Sequence, residues 1–176
     1  MSAAAPRPPT RVQLSLFVPP AAAAVLEAVR RQVDPVQARL IPAHVTLCRE
    51  DELDGLAPEV LAARCAAPGV SPLELVFGRP EAFHGHGILL PCTAGEPAYR
   101  ALRERLLGGS AIRRAEPHLT LAHPRNPRVP GDTLAIAQAL PDGLSITFGV
   151  ARLIAQDPGA PWRVLAEYPL GAPPAS

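Results

Sequence analysis

The chain has 176 residues, of which 48% are hydrophobic and 4% aromatic, and its formal net charge at pH 7 is +1. This length suits one domain with an aliphatic core, and the near-zero charge provides no long-range field toward nucleic acid. All 17 basic residues are arginine. The absence of lysine excludes Schiff-base chemistry, P-loop phosphate binding through lysine and covalent lysyl-nucleotide intermediates.

Cysteine content and hydrophobic runs predict a cellular location. Cys48, Cys65 and Cys92 are odd in number and share no close spacing, so we expect neither a disulfide framework nor a zinc site but a reducing cytoplasm. Residues 7–28 loosely resemble a secretory signal, but two consecutive prolines interrupt the run and the segment matches an internal repeat. No run is long enough to cross a membrane, and we expect no membrane partner.

The predicted elements of the first half follow a regular order. The apolar run at 14–18 predicts a strand, and Ala21–Gln32 is rich in helix formers after a proline. The β-type run at 44–47 predicts a second strand. Residues 53–66 predict another helix, and residues 73–78 a third strand.

The second half repeats this order at an offset of 74 positions. The run at 88–92 corresponds to 14–18, and Gly95–Leu106 corresponds to the first helix. Asp132 is predicted to cap a helix over 132–140. Residues 144–149 resemble 73–78 at an offset of 71, and the last strand is predicted at 162–168.

The duplication predicts an α+β fold with two similar lobes. We expect a bilobal, internally duplicated domain over residues 11–170, built from two mainly antiparallel sheets flanked by helices around a central cleft. Residues 1–10 and 171–176 are predicted to be disordered tails. A pseudo-twofold relation between the lobes would bring corresponding strands together at the cleft.

Two His-x-Thr-Leu motifs lie at equivalent points of the repeat. They are His44-Val-Thr46-Leu and His118-Leu-Thr120-Leu. Because residues i and i+2 of a strand share a face, each motif places an imidazole beside a hydroxyl and sends its aliphatic residues to the core. A single copy is common by chance, whereas two copies at equivalent positions favour a functional pair.

This set of groups suits cleavage of a phosphoester without metal. One neutral imidazole removes a proton from the attacking oxygen, and the other, protonated, donates to the leaving oxygen. The two threonine hydroxyls would hold the non-bridging oxygens. Two His and two Thr are poor zinc ligands, so no metal and no cofactor are predicted.

The paired motifs on a duplicated α+β chain resemble those of the 2H phosphoesterase superfamily. Within it, the segment PHLTLAHP at 117–124 is most similar to the RNA 2′,3′-cyclic phosphodiesterase, or 2′-5′ RNA ligase, branch. The resemblance covers roughly residues 11–169. It implies an ATP-independent enzyme that opens 2′,3′-cyclic phosphates to 2′-phosphates, and joining of RNA ends would be the reverse reaction.

The resemblance also implies roles for individual residues. His44 and His118 would be catalytic, with His44 favoured as acid and His118 as base, and Thr46 and Thr120 would bind phosphate. Related enzymes often place a basic residue shortly after the motif. Here the candidate substrate-binding residues are Arg49, His123 and Arg125, each of which is also interpretable as a surface or loop residue.

Three hypotheses about partners remain open at the level of sequence. The first substrate class is RNA with a 2′,3′-cyclic phosphate end, and the second is a small cyclic phosphate or another small phosphodiester metabolite. A third hypothesis is a catalytically silent RNA- or nucleotide-binding module. We expect a monomer in each case. The natural substrate and the choice of acid and base are not determined by the sequence.

Overall fold

A computed structural model describes residues 10–109 and 111–171. The tails expected at 1–10 and 171–176 lie outside the described residues except for Thr10 and Gly171. The described strands are β1 (Arg11–Phe17), β2 (His44–Cys48), β3 (Leu73–Phe77), β4 (Glu81–Phe83), β5 (Gly87–Ala94), β6 (His118–Ala122), β7 (Leu144–Phe148), β8 (Val150–Gln156) and β9 (Arg163–Pro169). The described helices are α1 (Pro20–Val33), α2 (Pro35–Leu40), α3 (Pro58–Cys65), α4 (Glu96–Leu107) and α5 (Thr133–Ala137), with a 3₁₀ turn at Glu50–Glu52.

The strands form two antiparallel sheets, which confirms the predicted fold class. The first sheet has the order β2-β1-β8-β9. In the second sheet β5 pairs with β3, β4 and β6, and β7 pairs with β3. Each of the two long helices packs against the motif strand of the other half of the chain: α1 contacts β6, and α4 contacts β2.

The predicted offset of 74 is visible in the strand register. Phe17 pairs with His44 across β1 and β2, and Pro91 pairs with His118 across β5 and β6. In each pair of strands the register shifts at the same point, between Leu14 and Ser15 in β1 and 74 positions later in β5. A β-bulge increases the local twist of a strand. The equivalent shifts in β1 and β5 therefore give β2 and β6 the same orientation relative to their partner strands.

The predicted correspondence between residues 73–78 and 144–149 is wrong as a relation between two lobes. Strands β3 and β7 pair directly with each other in the second sheet, from Leu73 opposite Phe148 to Phe77 opposite Leu144. Only Gly149 separates β7 from β8, and β8 joins β1 in the other sheet. The similar apolar alternation of β3 and β7 reflects a shared sheet face, because neighbouring strands meet the same core.

Helices α1 and α4 agree with their predicted ranges to within one residue at each end, whereas α3 begins at Pro58 rather than at residue 53. Helix α1 buries Leu26, Val29 and Val33, and α4 buries an equivalent apolar stripe. Asp132 caps α5 by accepting from the Ala135 N–H at 3.0 Å, as expected, although α5 is shorter than predicted. Helix α2 was not predicted from the sequence. Within the described residues, no helix has the length and apolar character needed to cross a bilayer.

Candidate active site

Alternation along the two motif strands sorts the side chains as the sequence predicts. Val45 and Leu47 of β2 are fully buried, and Leu119 and Leu121 of β6 are each 1% exposed. The motif residues project from the other face. His44, Thr46 and Thr120 are half-buried, and His118 is exposed. The aliphatic residues therefore anchor each strand in the core while the polar residues remain accessible.

Strands β2 and β6 bring the motifs of the two halves together. Strand β2 lies at one end of the first sheet, and β6 pairs with β5 at an edge of the second. These two strands contact each other, and the charge of His118 lowers the pKa of His44. The two imidazoles thus face a common region between the sheets.

Both motif histidines are oriented by the backbone in the same way. His44 Nδ1 lies 2.8 Å from the Pro42 carbonyl oxygen, and His118 Nδ1 lies 2.9 Å from the Glu116 carbonyl oxygen. A carbonyl only accepts hydrogen bonds, so Nδ1–H is the donor in each ring. Nε2 is then the nitrogen of each neutral ring that accepts a proton, and in the protonated ring it donates one.

The surroundings of His44 favour its neutral form. Burial lowers the pKa of His44 to about 4, and the nearby charges of Arg30 and His118 act in the same direction. The hydrogen bond to the Pro42 carbonyl opposes this effect because it stabilises the protonated ring. In the ligand-free protein His44 is therefore neutral at pH 7.

Helix α4 supports the strand that carries the first motif. The Tyr99 hydroxyl donates to the Thr46 carbonyl oxygen at 2.7 Å. Arg103 donates to the Leu47 carbonyl oxygen and forms an ion pair with Glu52 at 2.6 Å. Sequence reasoning missed these contacts, because the helical pattern of α4 identifies a buried face without specifying which strand it covers.

The Phe17 ring lies beside His44, and the Arg152 guanidinium lies over the Phe17 ring. The Phe17 and His44 rings are edge-to-face with centroids 6.3 Å apart. Arg152 Cζ lies 5.2 Å from the centroid of Phe17, and Arg152 Nε is 2.6 Å from Glu167 Oε1. Ser15 pairs with both Thr46 and Arg152, which places Arg152 two strands from the first motif. Arg152 had no sequence signal that linked it to the motif.

The candidate substrate-binding residues lie just beyond the motif strands. Arg49 follows β2 directly and is exposed. His123 and Arg125 follow β6 in a turn, where the Arg125 N–H donates to His123 Nδ1 and Arg125 Nη2 lies 3.3 Å from His123 Nε2. Burial lowers the pKa of His123, and the charge of Arg125 adds to this effect.

Asp34 fixes the turn that carries His123 and Arg125. The buried Asp34 carboxylate accepts from the His123 N–H at 2.8 Å and from Asn126 Nδ2 at 2.8 and 3.1 Å. It also accepts from the Gln37 N–H and so caps α2. Sequence reasoning missed Asp34, because its partners lie 89 and 92 positions away.

Three further features of the described residues bear on the site: a cavity, a cysteine thiol and the metal-binding side chains. A cavity of about 820 Å³ is lined by the β4–β5 turn and by residues around Arg128 and Thr133. Burial raises the pKa of Cys48 to about 12, so this neighbour of the first motif is a thiol rather than a nucleophilic thiolate. Among the residues described, no group of three or more His, Cys, Asp or Glu side chains is placed to hold a metal ion.

Several solved structures are similar to this chain over nearly its full length. E. coli LigT complexed with ATP is similar with a TM-score of 0.57 at 18% identity, over 93% of this chain and 99% of that one. E. coli LigT complexed with 3′-AMP gives 0.54 at 17% identity, over 93% and 99%. TT0787 of Thermus thermophilus gives 0.53 at 21% identity, over 91% and 97%. These likenesses establish the fold.

The family is established by a sequence model rather than by these structures. The curated proteins include no match to this chain. The model of the 2′-5′ RNA ligase superfamily matches residues 18–159, which include both motifs and most of the chain. With both motif strands, their shared register and this match in place, the chain belongs to the 2′-5′ RNA ligase superfamily, within the 2H phosphoesterases.

Proposed function

We propose that the protein is a phosphodiesterase that opens 2′,3′-cyclic phosphates of RNA ends or nucleotides to 2′-phosphates, with His44 and His118 as its acid and base. The observation that carries this proposal is the matched orientation of the two rings. Each donates Nδ1–H to a carbonyl, which leaves Nε2 for proton transfer. Membership of a superfamily of phosphoesterases and ligases supports phosphodiester chemistry.

The proposed reaction needs only two proton transfers. The neutral histidine removes a proton from water while the water oxygen bonds to phosphorus. The bond from phosphorus to the 3′ oxygen breaks, and the protonated histidine donates its proton to that oxygen. The product carries a 2′-phosphate and a 3′-hydroxyl, and no metal or cofactor takes part.

Thr46 and Thr120 are proposed to bind the non-bridging oxygens. Each lies two positions after a motif histidine on the same strand face. Their hydroxyls can donate to the phosphate as its charge grows in the transition state. Removal of one such donor typically costs roughly 10²–10³-fold in kcat.

The acid and base assignment depends on what phosphate does to His44. The resemblance assigns the acid role to His44 and the base role to His118. His44 has a pKa of about 4 in the ligand-free protein, so an acid role requires its pKa to rise on binding. A phosphate anion near Nε2 stabilises the imidazolium and acts in that direction. If binding leaves the pKa low, His44 is instead the base.

The second substrate class, a small phosphodiester metabolite, is favoured by two observations. The net charge is +1, which provides little attraction for a long polyanion. The neighbouring LigT structures are complexed with ATP, NADP⁺ and 3′-AMP, which are small nucleotides. A silent binding module would keep the same ligands without turnover.

We further propose that the protein acts as a monomer in the cytoplasm. Support for the compartment comes from the cysteines, since Cys48, Cys65 and Cys92 are free thiols and the first two are buried. Free buried thiols are typical of proteins from a reducing compartment.

The function is tested by hydrolysis of the four nucleoside 2′,3′-cyclic phosphates in EDTA, with phosphorus NMR to separate 2′- from 3′-phosphate products. We expect EDTA-resistant turnover to the 2′-phosphate, and Thr46→Ala and Thr120→Ala should each slow it while Thr→Ser variants retain most of it. Binding without turnover by folded wild type would support the silent module instead. Formation of only the 3′-phosphate would contradict the proposed bond cleavage.

A further inference from the structure

A buried ion pair lies on helix α1 behind the first motif. Arg30 is 1% exposed, and its Nη1 lies 2.8 Å from both carboxylate oxygens of Glu27, one turn earlier in the helix. Burial of such a pair is costly, and an apolar pair of similar size is often neutral or stabilising instead. Leu26, Val29 and Val33 already anchor α1 in the core. The pair therefore has little reason to exist for stability alone.

The pair forms hydrogen bonds with the backbone on both sides of Pro42, at the Ile41 carbonyl and the Ala43 N–H. Arg30 Nη2 donates to the Ile41 carbonyl oxygen at 2.8 Å, and the Ala43 N–H donates to Glu27 Oε1 at 2.5 Å. Pro42 has no N–H of its own, and its carbonyl is the acceptor of His44 Nδ1–H. The ion pair thus fixes the peptide that sets the orientation and tautomer of the His44 ring.

The second half of the chain holds its matching arginine differently. The buried positions of α1 at 26, 29, 30 and 33 correspond to those of α4 at 99, 102, 103 and 106, so Arg103 matches Arg30. Arg103 pairs with Glu52, outside its own helix, and donates to the Arg113 carbonyl oxygen, five positions before His118. Pro117 precedes His118 where Ala43 precedes His44, and it has no N–H for a carboxylate to hold. The Glu116 carbonyl that orients His118 belongs to an exposed residue, whose side chain meets exposed Arg114 at 3.4 Å.

We propose that Glu27 and Arg30 are positioning residues that lock the His44 ring through Pro42, and that this lock, which the peptide before His118 lacks because Pro117 has no N–H, gives the two motif histidines unequal roles. The unequal acid and base roles rest on the proposed function. The contacts of Glu27 and Arg30 that lock the His44 ring do not depend on it. Strand pairing adds to the inequality, since His44 lies opposite Phe17 whereas His118 lies opposite Pro91.

The charges around His44 determine how substitutions act on it. Arg30 and Glu27 approach from α1, His118 from β6, and Arg152 lies over Phe17 on the β1 side. Glu27→Gln leaves the Arg30 charge without its partner, which should lower the pKa of His44 further. Replacement of both residues by methionine removes the cation, which should raise that pKa.

Nitrogen NMR of the histidine rings in the ligand-free protein tests the lock directly. In wild type, His44 should be in the single tautomer protonated at Nδ1. In the Glu27→Met/Arg30→Met double variant, which keeps the apolar anchors of α1, we expect the protein to fold but the His44 ring to populate both tautomers. Glu104→Gln, which removes a partly exposed carboxylate of α4, is the control and should leave both histidines unchanged.

Kinetics then test the roles. The double variant should lose roughly 10–100-fold in kcat with KM unchanged, because the loss lies in the geometry of proton transfer, and one limb of its pH–rate profile should shift. A folded double variant with wild-type tautomer, pKa and kcat would overturn the proposal. If wild type fails to hydrolyse cyclic phosphates but the tautomer responds as expected, the proposed function fails and the lock stands.

Discussion

His44 and His118 are related by a shared hydrogen-bond pattern: each ring donates Nδ1–H to the carbonyl two residues before it, at 2.8 and 2.9 Å. Because the chain is duplicated, the same pattern occurs on β2 at the edge of the first sheet and on β6 at an edge of the second. Both rings therefore present Nε2, although His44 is half-buried and His118 is exposed. General acid and base catalysis needs one of the two rings protonated and the other neutral.

Phosphate binding should change the two rings together. We expect inorganic phosphate to shift the Nε2 signals of His44 and His118 in nitrogen NMR while both Nδ1 signals stay protonated, because Nε2 is the nitrogen left to meet an anion. The pKa of His44 should rise from about 4. A response at Nδ1, or at only one ring, would contradict a shared phosphate site.

The stability of the protein should depend on pH through His44. Its pKa is about 4 in the folded chain and 6.5 in the reference state, so the unfolded chain binds more protons between these values. The contribution of neutral His44 is therefore fully present above pH 6.5 and is lost as pH falls toward 4. Urea unfolding across this pH range measures it as the difference between wild type and His44→Gln.

The same comparison controls for other groups. His123 also has a lowered pKa, and its effect is common to both proteins and cancels in the difference. The free energy difference should grow more favourable to wild type as pH rises. A difference that is constant across this range would show that His44 titrates normally.

The hydroxyl of Tyr99 should stabilise the first motif strand. Tyr99→Phe removes the bond to the Thr46 carbonyl oxygen, and a hydrogen bond of this kind contributes about 0.5–1.5 kcal/mol to the free energy of unfolding. Tyr168→Phe is a matched control, because the Tyr168 hydroxyl is buried without a hydrogen-bond partner in the described structure. We expect loss of stability in the first variant only, and equal effects would argue against the Tyr99 contact.

Much of this site could be predicted from local sequence, but its supports could not. Alternation placed His44 and Thr46 on one strand face with Val45 and Leu47 in the core, and the offset of 74 is the offset of the strand register. Alternation and repetition are both visible in the linear sequence, so no knowledge of the tertiary contacts is needed to find them.

Contacts between distant segments leave no such pattern. Asp34 reaches His123 across 89 positions, and Tyr99 reaches Thr46 across 53. Strand β8 directly follows β7 along the chain but pairs with β1 in the first sheet. The sequence similarity of β3 to β7 suggested equivalent strands of two lobes, whereas the two strands pair with each other. Propensity and periodicity describe an element and its buried face, but they do not specify its neighbour.

Arg125 should matter more for long substrates than for small ones. If it contacts RNA phosphate, Arg125→Gln should reduce the slope of log affinity against log salt by about 0.7 and raise KM for an oligonucleotide while leaving kcat unchanged. Arg49→Gln should act likewise. Arg79→Gln, which replaces an exposed arginine paired with Asp142, is the surface control. Equal salt slopes in all variants would favour a small substrate.

The most direct test of the two-histidine account is a comparison of His44→Ala, His118→Ala and the double variant in EDTA on the best of the cyclic nucleotides. Each single variant should lose roughly 10²–10⁴-fold in kcat, the range for one acid or base. The double variant should lose little more than the worse single variant, because the groups act as a unit. If either single variant retains near-wild-type turnover while folded, the two histidines are not an acid–base pair.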